Sequence, residues 1–274
     1  MLVNMTDVLL PAKKAGYGVG LFNTLNSEMA KGVLRAAERN QSPVIVGTAE
    51  VLLPYASLEE IADLLLPMAK RASVPVVLHF DHGLTEAACY KALDLGFSSI
   101  MYDCSTEDYE TNLRKVKEMA ALAHAKGATI EAELGHVGQA DGSDPTAFYT
   151  DPQQAKEFVE QTEVDALAIA VGTAHGAYKF PPKLDFERIE TIAKMIPTPL
   201  VLHGGSGLTD EDFREAIRRG ISKINIFTDI NIAYAKAAEK ALQGGAGCAT
   251  DMMEQLVEGV AAETEKKMKL FLMK

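Results

Sequence analysis

Three histidines in this sequence are placed where they could share a metal ion. His82 closes the His-Phe-Asp-His tetrad at 79–82 after an apolar run, and His175 and His203 follow two further apolar runs in the same way. Neutral imidazoles suit zinc, and a catalytic zinc commonly has three protein ligands and one open position. A lone histidine at a strand end is more often an ordinary hydrogen-bonding residue. Three of them on separate strands favour one shared ion, provided that the strands are parallel and close into a barrel.

Carboxylates accompany these histidines. Asp81 directly precedes His82, so an acid or base lies beside a metal-capable imidazole. Asp103 and Glu133 end two further candidate strands, where a carboxylate can orient a histidine ligand or hold a second cation. For Asp103 the alternative is helix capping, because Ser-Thr-Glu-Asp follows closely. Glu131 and Glu133 share one face of their strand, which is unusual for an apolar barrel lining.

A glycine-rich segment follows His203. The residues Gly-Gly-Ser-Gly at 204–207 lead into a helix, and the next candidate strand opens a helix near Thr228. Glycines let the backbone approach an anion, and the amides at a helix start carry positive potential. The loops after strands seven and eight are also the recurrent phosphate site of (β/α)8 barrels. We therefore expect a phosphate site here, with Lys179 as its cation; a tight turn without a ligand is the alternative.

The elements that must position these residues alternate along the chain. Eight short runs have strand character: 17–22, 43–48, 75–80, 98–103, 128–134, 166–172, 198–203 and 221–227. Helical patterns lie between them, and a final amphipathic segment covers 250–271. Strict alternation implies parallel strands with helical crossovers, and continuous apolar runs are typical of strands buried on both faces. We predict an α/β fold: a single (β/α)8 TIM barrel over 1–274 with a C-terminal helical extension. An open doubly wound sheet is the alternative.

Composition excludes several classes of partner. The chain has 274 residues, 47% of them hydrophobic, and a formal net charge of −11. No basic face dominates, so nucleic acid is not an expected partner. The three cysteines have no paired spacing, which is typical of reduced thiols. There is neither a basic leader segment nor an apolar run of about 20 residues, so we expect a cytoplasmic protein without a membrane partner.

Seven short motifs then occur in order along nearly the whole chain. They are Phe22-Asn23, Pro-Val-Ile-Val at 43–46, Leu-His-Phe-Asp-His-Gly at 78–83, Glu-Ala-Glu-Leu-Gly at 131–135, Val-Gly-Thr-Ala-His-Gly at 171–176, Leu-His-Gly-Gly-Ser-Gly-Leu at 202–208 and Lys-Ile-Asn-Ile at 223–226. Together they resemble the class II, zinc-dependent ketose-bisphosphate aldolases, and most of all the tagatose-bisphosphate aldolase branch.

The resemblance implies roles for individual residues. His82, His175 and His203 would bind Zn²⁺, and Asp81 would move the proton of the substrate's C4 hydroxyl. A loop after the fifth strand would bring in a carboxylate that protonates the enediolate, and Asp141 lies nearest that position. The residues that would contact the sugar phosphate are Asn23, Thr48, Gly176, Lys179, Gly204, Ser206, Asn225 and Thr228. Family members are usually homodimers or homotetramers; whether a monovalent cation, Na⁺ or K⁺, also binds is open.

The reaction that the resemblance implies is reversible aldol cleavage. A ketose 1,6-bisphosphate (tagatose or fructose) or a related ketose 1-phosphate would give dihydroxyacetone phosphate and an aldehyde. Zinc would stabilise the charge of the enediolate as a Lewis acid. A lysine Schiff base is the other available electron sink. The sixth candidate strand contains no lysine, however, and Lys223 lies within the eighth strand rather than at its end.

Two departures from the family pattern leave the aldehyde open. Phe227 stands where fructose-bisphosphate enzymes have an aspartate and tagatose-type enzymes a small residue. Asp-Met-Met at 251–253 replaces a run where the tagatose branch tends to have an arginine for the distal phosphate. The sequence therefore leaves open whether the aldehyde product carries a phosphate. The rival functions are another metal-dependent phosphosugar enzyme, an epimerase or hydrolase without C–C cleavage, and a catalytically silent barrel subunit.

Overall fold

Helices and strands alternate along the chain as the sequence predicts. The protein is represented by a computed structural model that describes residues 1–138, 148–176 and 182–273. Within these ranges the helices are α1 (Met5–Ala15), α2 (Ser27–Asn40), α3 (Leu58–Arg71), α4 (Glu86–Asp94), α5 (Tyr109–Ala125), α6 (Pro152–Thr162), α7 (Phe186–Met195), α8 (Asp210–Arg219), α9 (Thr228–Gln243) and α10 (Ala249–Phe271). A short 3₁₀ turn at Glu50–Leu52 was not anticipated.

Eight parallel strands close into one barrel. They are β1 (Val19–Asn23), β2 (Val44–Ala49), β3 (Val76–Gly83), β4 (Ser99–Tyr102), β5 (Thr129–Leu134), β6 (Ala166–Ile169), β7 (Leu200–Leu202) and β8 (Ile221–Ile226). Each strand pairs with its neighbour in the sequence, and β1 pairs with β8. The predicted (β/α)8 barrel is confirmed, and the open sheet is excluded.

Most strand ends differ from the prediction by one to three residues, and three of these differences bear on the site. β3 continues through Asp81 and His82 to Gly83, three residues beyond its predicted end. β4 ends at Tyr102, one residue before Asp103, and β6 ends at Ile169. His175 therefore lies in the connection after β6, several residues beyond the strand itself.

The lower part of the barrel is apolar. Side chains alternate between the two faces of a strand, and every second residue points into the barrel. The inward-facing residues near the amino ends pack against helix α1, which closes that end of the barrel: Val19, Leu21, Ile45, Val77, Ala166, Ala168 and Val201, with Met5, Val8, Leu9 and Ala12 from α1. This face is built for stability, so chemistry belongs to the opposite end.

The same inward-facing series becomes polar towards the carboxyl ends of the strands. The residues that continue it are buried and include four ionisable types: Asn23, His79, Asp81, Glu131, Glu133, His203, Lys223 and Asn225. Charged groups are rarely buried unless they are paired. The fold therefore requires that these side chains bind one another, a ligand, or both.

The C-terminal helix packs along the outside of the barrel against α2. Gly32 allows this close approach, because a Cβ atom there would lie 2.7 Å from Cβ of Val260. Arg35 and Arg39 form exposed ion pairs with Glu254 and Glu258 across the same contact. In the described ranges no helix combines the length and the hydropathy that spanning a bilayer requires.

Candidate active site

A cavity of about 420 Å³ opens at the carboxyl ends of the strands. Most of the residues singled out from the sequence line it: Asn23, Asp81, His82, Asp103, His175, Gly176, Gly204, Ser206, Asn225 and Thr228. Active sites of (β/α)8 barrels lie at this end. The structure thus brings together, in one cavity, side chains that are up to about 200 positions apart in the sequence.

The three histidines lie together at the carboxyl ends of the strands. His82 and His175 line the cavity, and the ring of the buried His203 lies against both. The ring centroids are 4.4 Å apart for His82 and His203, 4.9 Å for His82 and His175, and 5.8 Å for His175 and His203. One ligand-capable nitrogen from each ring lies within 4.8 Å of the other two, so the set could hold one metal ion after a small adjustment of the rings.

An unusual backbone conformation aims His82 into the cavity. Asp81 belongs to the inward-facing series of β3, so strict alternation would turn its neighbour His82 outward. His82 instead has φ = 42°, in the left-handed region that non-glycine residues rarely adopt. This break in alternation lets two consecutive side chains reach the same site. Strain of this kind is common where a functional position is fixed by its surroundings.

Two ring nitrogens at this site are buried and have no hydrogen-bond partner among the described residues. They are Nε2 of His82 and Nδ1 of His203. The opposite nitrogen of each ring is held by a carboxylate: Nδ1 of His82 lies 2.7 Å from Asp103, and Nε2 of His203 lies 2.8 Å from Glu131. Buried polar atoms are seldom left unpaired, and carboxylate–imidazole pairs typically orient metal ligands. These residues therefore fit a metal ion.

Asp103 orients His82 and does not cap a helix. Its Oδ2 atom accepts from His82 and its Oδ1 atom accepts from the amide of Ser105, while Asp108 caps α5. Burial raises the pKa of Asp103, but its bonds to His82 and Ser105 lower it more, so the group is ionised. Burial lowers the pKa of His82, but Asp81, Asp103 and Glu133 outweigh burial and raise it to about 9.

A cation bound at Nε2 of His82 would have to displace a proton, because a metal ligand must be deprotonated. His175 needs no such step, since burial and the charges of His82 and His203 lower its pKa to about 3. The surplus of negative charge around His82 is what a bound cation would neutralise.

Glu133 lies next to the three histidines. Its Oε1 atom accepts from the amide of Val137 at 2.8 Å, and its Oε2 atom lies 3.4 Å from Nδ1 of His203. Burial and the charge of Asp103 raise its pKa to about 8. His82, Asp103 and Glu133 also form a set whose ligand atoms lie within 4.8 Å of one another. This geometry is compatible with both roles predicted for Glu133, which are to orient a histidine ligand and to hold a second cation.

Asp81 lies at the base of the cavity, beside the histidines. Its two oxygens accept from the side-chain amides of Asn23 at 2.8 Å and Asn225 at 3.0 Å. Burial raises the pKa of Asp81, but the positive charges of His82, Lys223 and the other imidazoles lower it well below its usual range. Asp81 is therefore an oriented carboxylate that is ionised at neutral pH.

The predicted phosphate residues lie at the mouth of β7 and β8. Gly204 has φ = 64°, and a Cβ atom there would lie 2.3 Å from the carbonyl oxygen of Ala174, so only glycine fits. Ser206 lies beside the start of α9, and its Oγ accepts from the amide of Asp229 at 3.4 Å. Phe227, the N-cap of α9, provides no side-chain cap. Apart from the amide of Asp229, the first amides of α9 have no side-chain cap among the described residues and could face an anion near Thr228.

Besides the buried His203 and Glu133, three of the predicted site residues are not among the described residues that line the cavity. Thr48 does not line the cavity: it lies on the face of β2 shared with Val44 and Val46, which pack towards the helices. The inward-facing residue next to it, Ala49, lines the cavity instead, so the sugar-side role of Thr48 stays a prediction that the position of its side chain does not favour. Asp141 and Lys179 lie outside the described residues.

Sequence reasoning missed two parts of the site. Lys223 is fully buried inside the barrel, 2.7 Å from Glu131, although it was considered only as a Schiff-base candidate. Its place two residues before Asn225 puts both on the inward face, which was a usable signal. The 3₁₀ turn after β2 also lines the cavity, with Val51 and Leu52, and left no signal that we recognised.

Comparison with known proteins agrees with this geometry. The family model described as fructose-bisphosphate aldolase class-II matches residues 3–274. A fructose-bisphosphate aldolase from Thermus caldophilus is 39% identical, with 88% of each chain covered. One from Staphylococcus aureus is 40% identical, covering 88% of this chain and 86% of the relative. The crystal structure of the YdjI aldolase from Escherichia coli K12 superposes with a TM-score of 0.91 and 36% identity, over 99% of this chain and 97% of that one.

Fold, cavity and side chains define a metal-dependent barrel lyase. The chain belongs to the class II fructose-bisphosphate aldolase family. The resemblance predicted from the motifs is confirmed at the level of the family. The tagatose branch and the roles of single residues stay predictions, because these comparisons concern the chain as a whole.

The carboxylate behind His82 can be tested by its effect on metal binding. We expect Asp103→Asn to weaken metal affinity by about 10–100-fold, because His82 loses its orienting charge. The measurement is a chelator competition on the metal-free protein. Asp108→Asn is the matched control, since asparagine caps a helix as well as aspartate. Equal affinity in both variants would contradict the orienting role.

Proposed function

We propose that this protein is a zinc-dependent aldolase that reversibly cleaves a ketose phosphate to dihydroxyacetone phosphate and an aldehyde. The observation that carries the proposal is the pair of buried imidazole nitrogens on His82 and His203 that have no hydrogen-bond partner among the described residues, close to the ionised carboxylate of Asp81. Together they offer a cation site and a proton acceptor to the same substrate.

The donor set favours zinc. Three imidazoles form an all-nitrogen site, which suits Zn²⁺, whereas Mg²⁺ and Ca²⁺ prefer oxygen ligands. His82, His175 and His203 would hold the ion. When bound, zinc supplies Lewis-acid stabilisation for the negative charge that develops as C3–C4 breaks. Asp103 would orient the ring of His82, and Glu131 would orient the ring of His203. A second cation at Glu133 is not required for this chemistry.

Asp81 is the proposed base in the cleavage direction. It would accept the proton of the C4 hydroxyl, because it is ionised and lies in the cavity with the histidines. The amides of Asn23 and Asn225 hold both oxygens, so its orientation does not depend on substrate. In the reverse direction the same group returns the proton. Asp141 remains the proposed donor to the carbanion carbon.

The mouth of β7 and β8 is the proposed site of the C1 phosphate. Backbone amides at Gly204 and the start of α9 would face the phosphate, with Ser206 and Gly176 beside them. Lys179 is the proposed cation. A phosphate fixed there and a hydroxyl at Asp81 would set which bond of the sugar lies next to the histidines, which is positioning of the kind that lowers a barrier.

The first experiment removes the metal. We expect activity to vanish in chelator-treated protein and to return with Zn²⁺, with dihydroxyacetone phosphate measured by a coupled reductase. Borohydride in the presence of substrate serves as the control, and should not inactivate the enzyme because no Schiff base forms. Activity that survives metal removal would contradict the proposal, while substrate turnover without triose phosphate would favour the epimerase or hydrolase alternative.

The second experiment separates proton transfer from metal binding. We expect Asp81→Ala to bind zinc like the wild type and to lose about 10²–10⁴-fold in kcat, the usual contribution of a general base. Asp94→Ala, an exposed surface change, is the control. A near-normal kcat in Asp81→Ala would show that another group moves the proton.

The aldehyde end of the cavity is apolar. Val51 and Leu52 from the turn after β2, and Leu84 from the loop after β3, form a surface that we call the apolar wall. Glu50 holds its two halves together, because its carboxylate accepts from the amides of Leu84 at 2.6 Å and Thr85 at 3.0 Å. No lysine or arginine lies among the cavity residues within the described ranges.

The apolar wall lies across the barrel mouth from the proposed phosphate site. In the closed barrel β2 and β3 lie two to four strand positions from β7 and β8, with β1 between β2 and β8. A substrate whose C1 phosphate lies at β7 and β8 would therefore extend its aldehyde portion to this wall. A second phosphate there would lose hydration without gaining a cation. We infer that the aldehyde portion is uncharged, which makes the substrate a ketose 1-phosphate.

This inference predicts the relative rates of two substrates. We expect kcat/KM for a ketose 1-phosphate with an uncharged end to exceed that for the 1,6-bisphosphate by about tenfold or more. Leu84→Arg should move the preference towards the bisphosphate, whereas Tyr90→Arg, a similar charge on the outer part of α4, should not. A panel of aldehydes condensed with dihydroxyacetone phosphate gives the identity of the product. Preferential cleavage of a bisphosphate by the wild type would disprove the uncharged aldehyde.

A further inference from the structure

Lys223 is a buried cation that the proposed reaction does not use directly. It lies on β8, is fully inaccessible, and does not line the cavity. Its ammonium nitrogen is 2.7 Å from Oε2 of Glu131 and 2.8 Å from Oδ1 of Asn225. Burying a lysine inside a barrel costs folding free energy unless acceptors pair with its ammonium group. Its two partners each lead to a different part of the site.

The first partner is Asn225. An ammonium group can only donate hydrogen bonds, so Lys223 requires the oxygen of the Asn225 amide to face it. The NH₂ group then faces Asp81, and Nδ2 of Asn225 lies 3.0 Å from Oδ1 of Asp81. The amide is thus held from both ends, by the ammonium group on its oxygen and by the carboxylate on its NH₂ group. Without the ammonium group the buried oxygen would lose its donor, and Asn225 would be held by Asp81 alone.

The second partner is Glu131. Its Oε2 atom lies 2.7 Å from the ammonium nitrogen of Lys223, and its Oε1 atom lies 2.8 Å from Nε2 of His203, so one carboxylate joins the lysine to the ring. Because Glu131 occupies Nε2, Nδ1 is the ring nitrogen that His203 can offer to an ion. Nδ1 has no hydrogen-bond partner among the described residues.

We propose that Lys223 is a positioning residue that fixes, through two hydrogen-bonded branches, the amide orientation of Asn225 and the ring nitrogen that His203 offers to the metal. The proposal rests on the function proposed above for Asp81 and the three histidines. It also accounts for a second set of ligand-type atoms, on His79, Asp81 and Glu131, that lie within 4.8 Å of one another. Lys223 supplies the positive charge there, so that set needs no ion.

The test is Lys223→Met, which keeps most of the volume and removes the charge and the donor. On metal-free protein, chelator competition should show Zn²⁺ affinity weakened by about 10–100-fold, the usual effect of losing a partner behind a ligand. With zinc saturating, kcat/KM should fall as well. Ile45→Val, a buried change in the lower layer of the barrel, controls for a general loss of stability and should change neither quantity.

A double-mutant cycle separates the two branches. In an Asn225→Ala background, Lys223→Met should cause no further fall in kcat/KM but should still weaken zinc binding, because the branch through Glu131 remains. An equal further fall in kcat/KM, or wild-type zinc affinity in folded Lys223→Met, overturns the proposal. If wild-type protein that has been stripped of metal does not bind zinc, the proposed function fails instead. This outcome distinguishes a failure of the proposed function from a failure of the role proposed for Lys223.

A further pair of variants covers the case in which Lys223→Met does not fold. Glu131→Gln combined with Lys223→Met removes both charges together, so no unpaired ion is left in the barrel. Compared with Glu131→Gln alone at saturating zinc, the double variant should have a lower kcat/KM, since only the Asn225 branch differs. Equal values would overturn that branch.

Discussion

The interaction on which the site depends is the pairing of charges inside a closed barrel. Asp81, Asp103, Glu131 and Glu133 are all buried or nearly so, and Lys223 is the one lysine that the described residues place inside the barrel. In a low-dielectric interior an unpaired carboxylate costs several kcal/mol, on the order of a large part of the protein's stability. Each of these carboxylates accepts at least one hydrogen bond, and several of the donors are the imidazoles and side-chain amides that are proposed to act on the substrate.

Depth in the barrel separates stability from reactivity. The lowest inward-facing layer is apolar and is closed by α1, whereas the layer above it contains the paired charges, and only the topmost residues reach the cavity. The charged layer thus has a rigid floor and no direct access to solvent from below. Oriented dipoles and charges in such a place need little reorganisation when charge develops during a reaction, which is the condition for electrostatic catalysis.

The fold was predictable because it depends on a repeated pattern. Alternating runs and helical segments located every strand and helix to within a few residues, and the three histidines could be grouped once a barrel was assumed. Ala49 rather than Thr48 lines the cavity, and choosing between the two requires the register of β2, which a run of apolar residues does not provide. The positive φ of His82 has no sequence signal either, since glycine would be the expected residue there. Pairing of Lys223 with Glu131 joins two strands that are not neighbours, so neither residue alone indicated it.

The apolar wall and the charged layer belong to different parts of the barrel, which would let one scaffold accept different aldehydes. The apolar wall is built from the loops after β2 and β3 and is held by Glu50, whereas the histidines and their carboxylates lie on the strands or at their ends. Changes in Val51, Leu52 or Leu84 need not disturb any pair in the charged layer, because none of the three takes part in it. Function in such barrels varies through loops on a constant frame. In the function proposed for this protein, the frame would fix where a C–C bond breaks, and the wall would decide what lies on its far side.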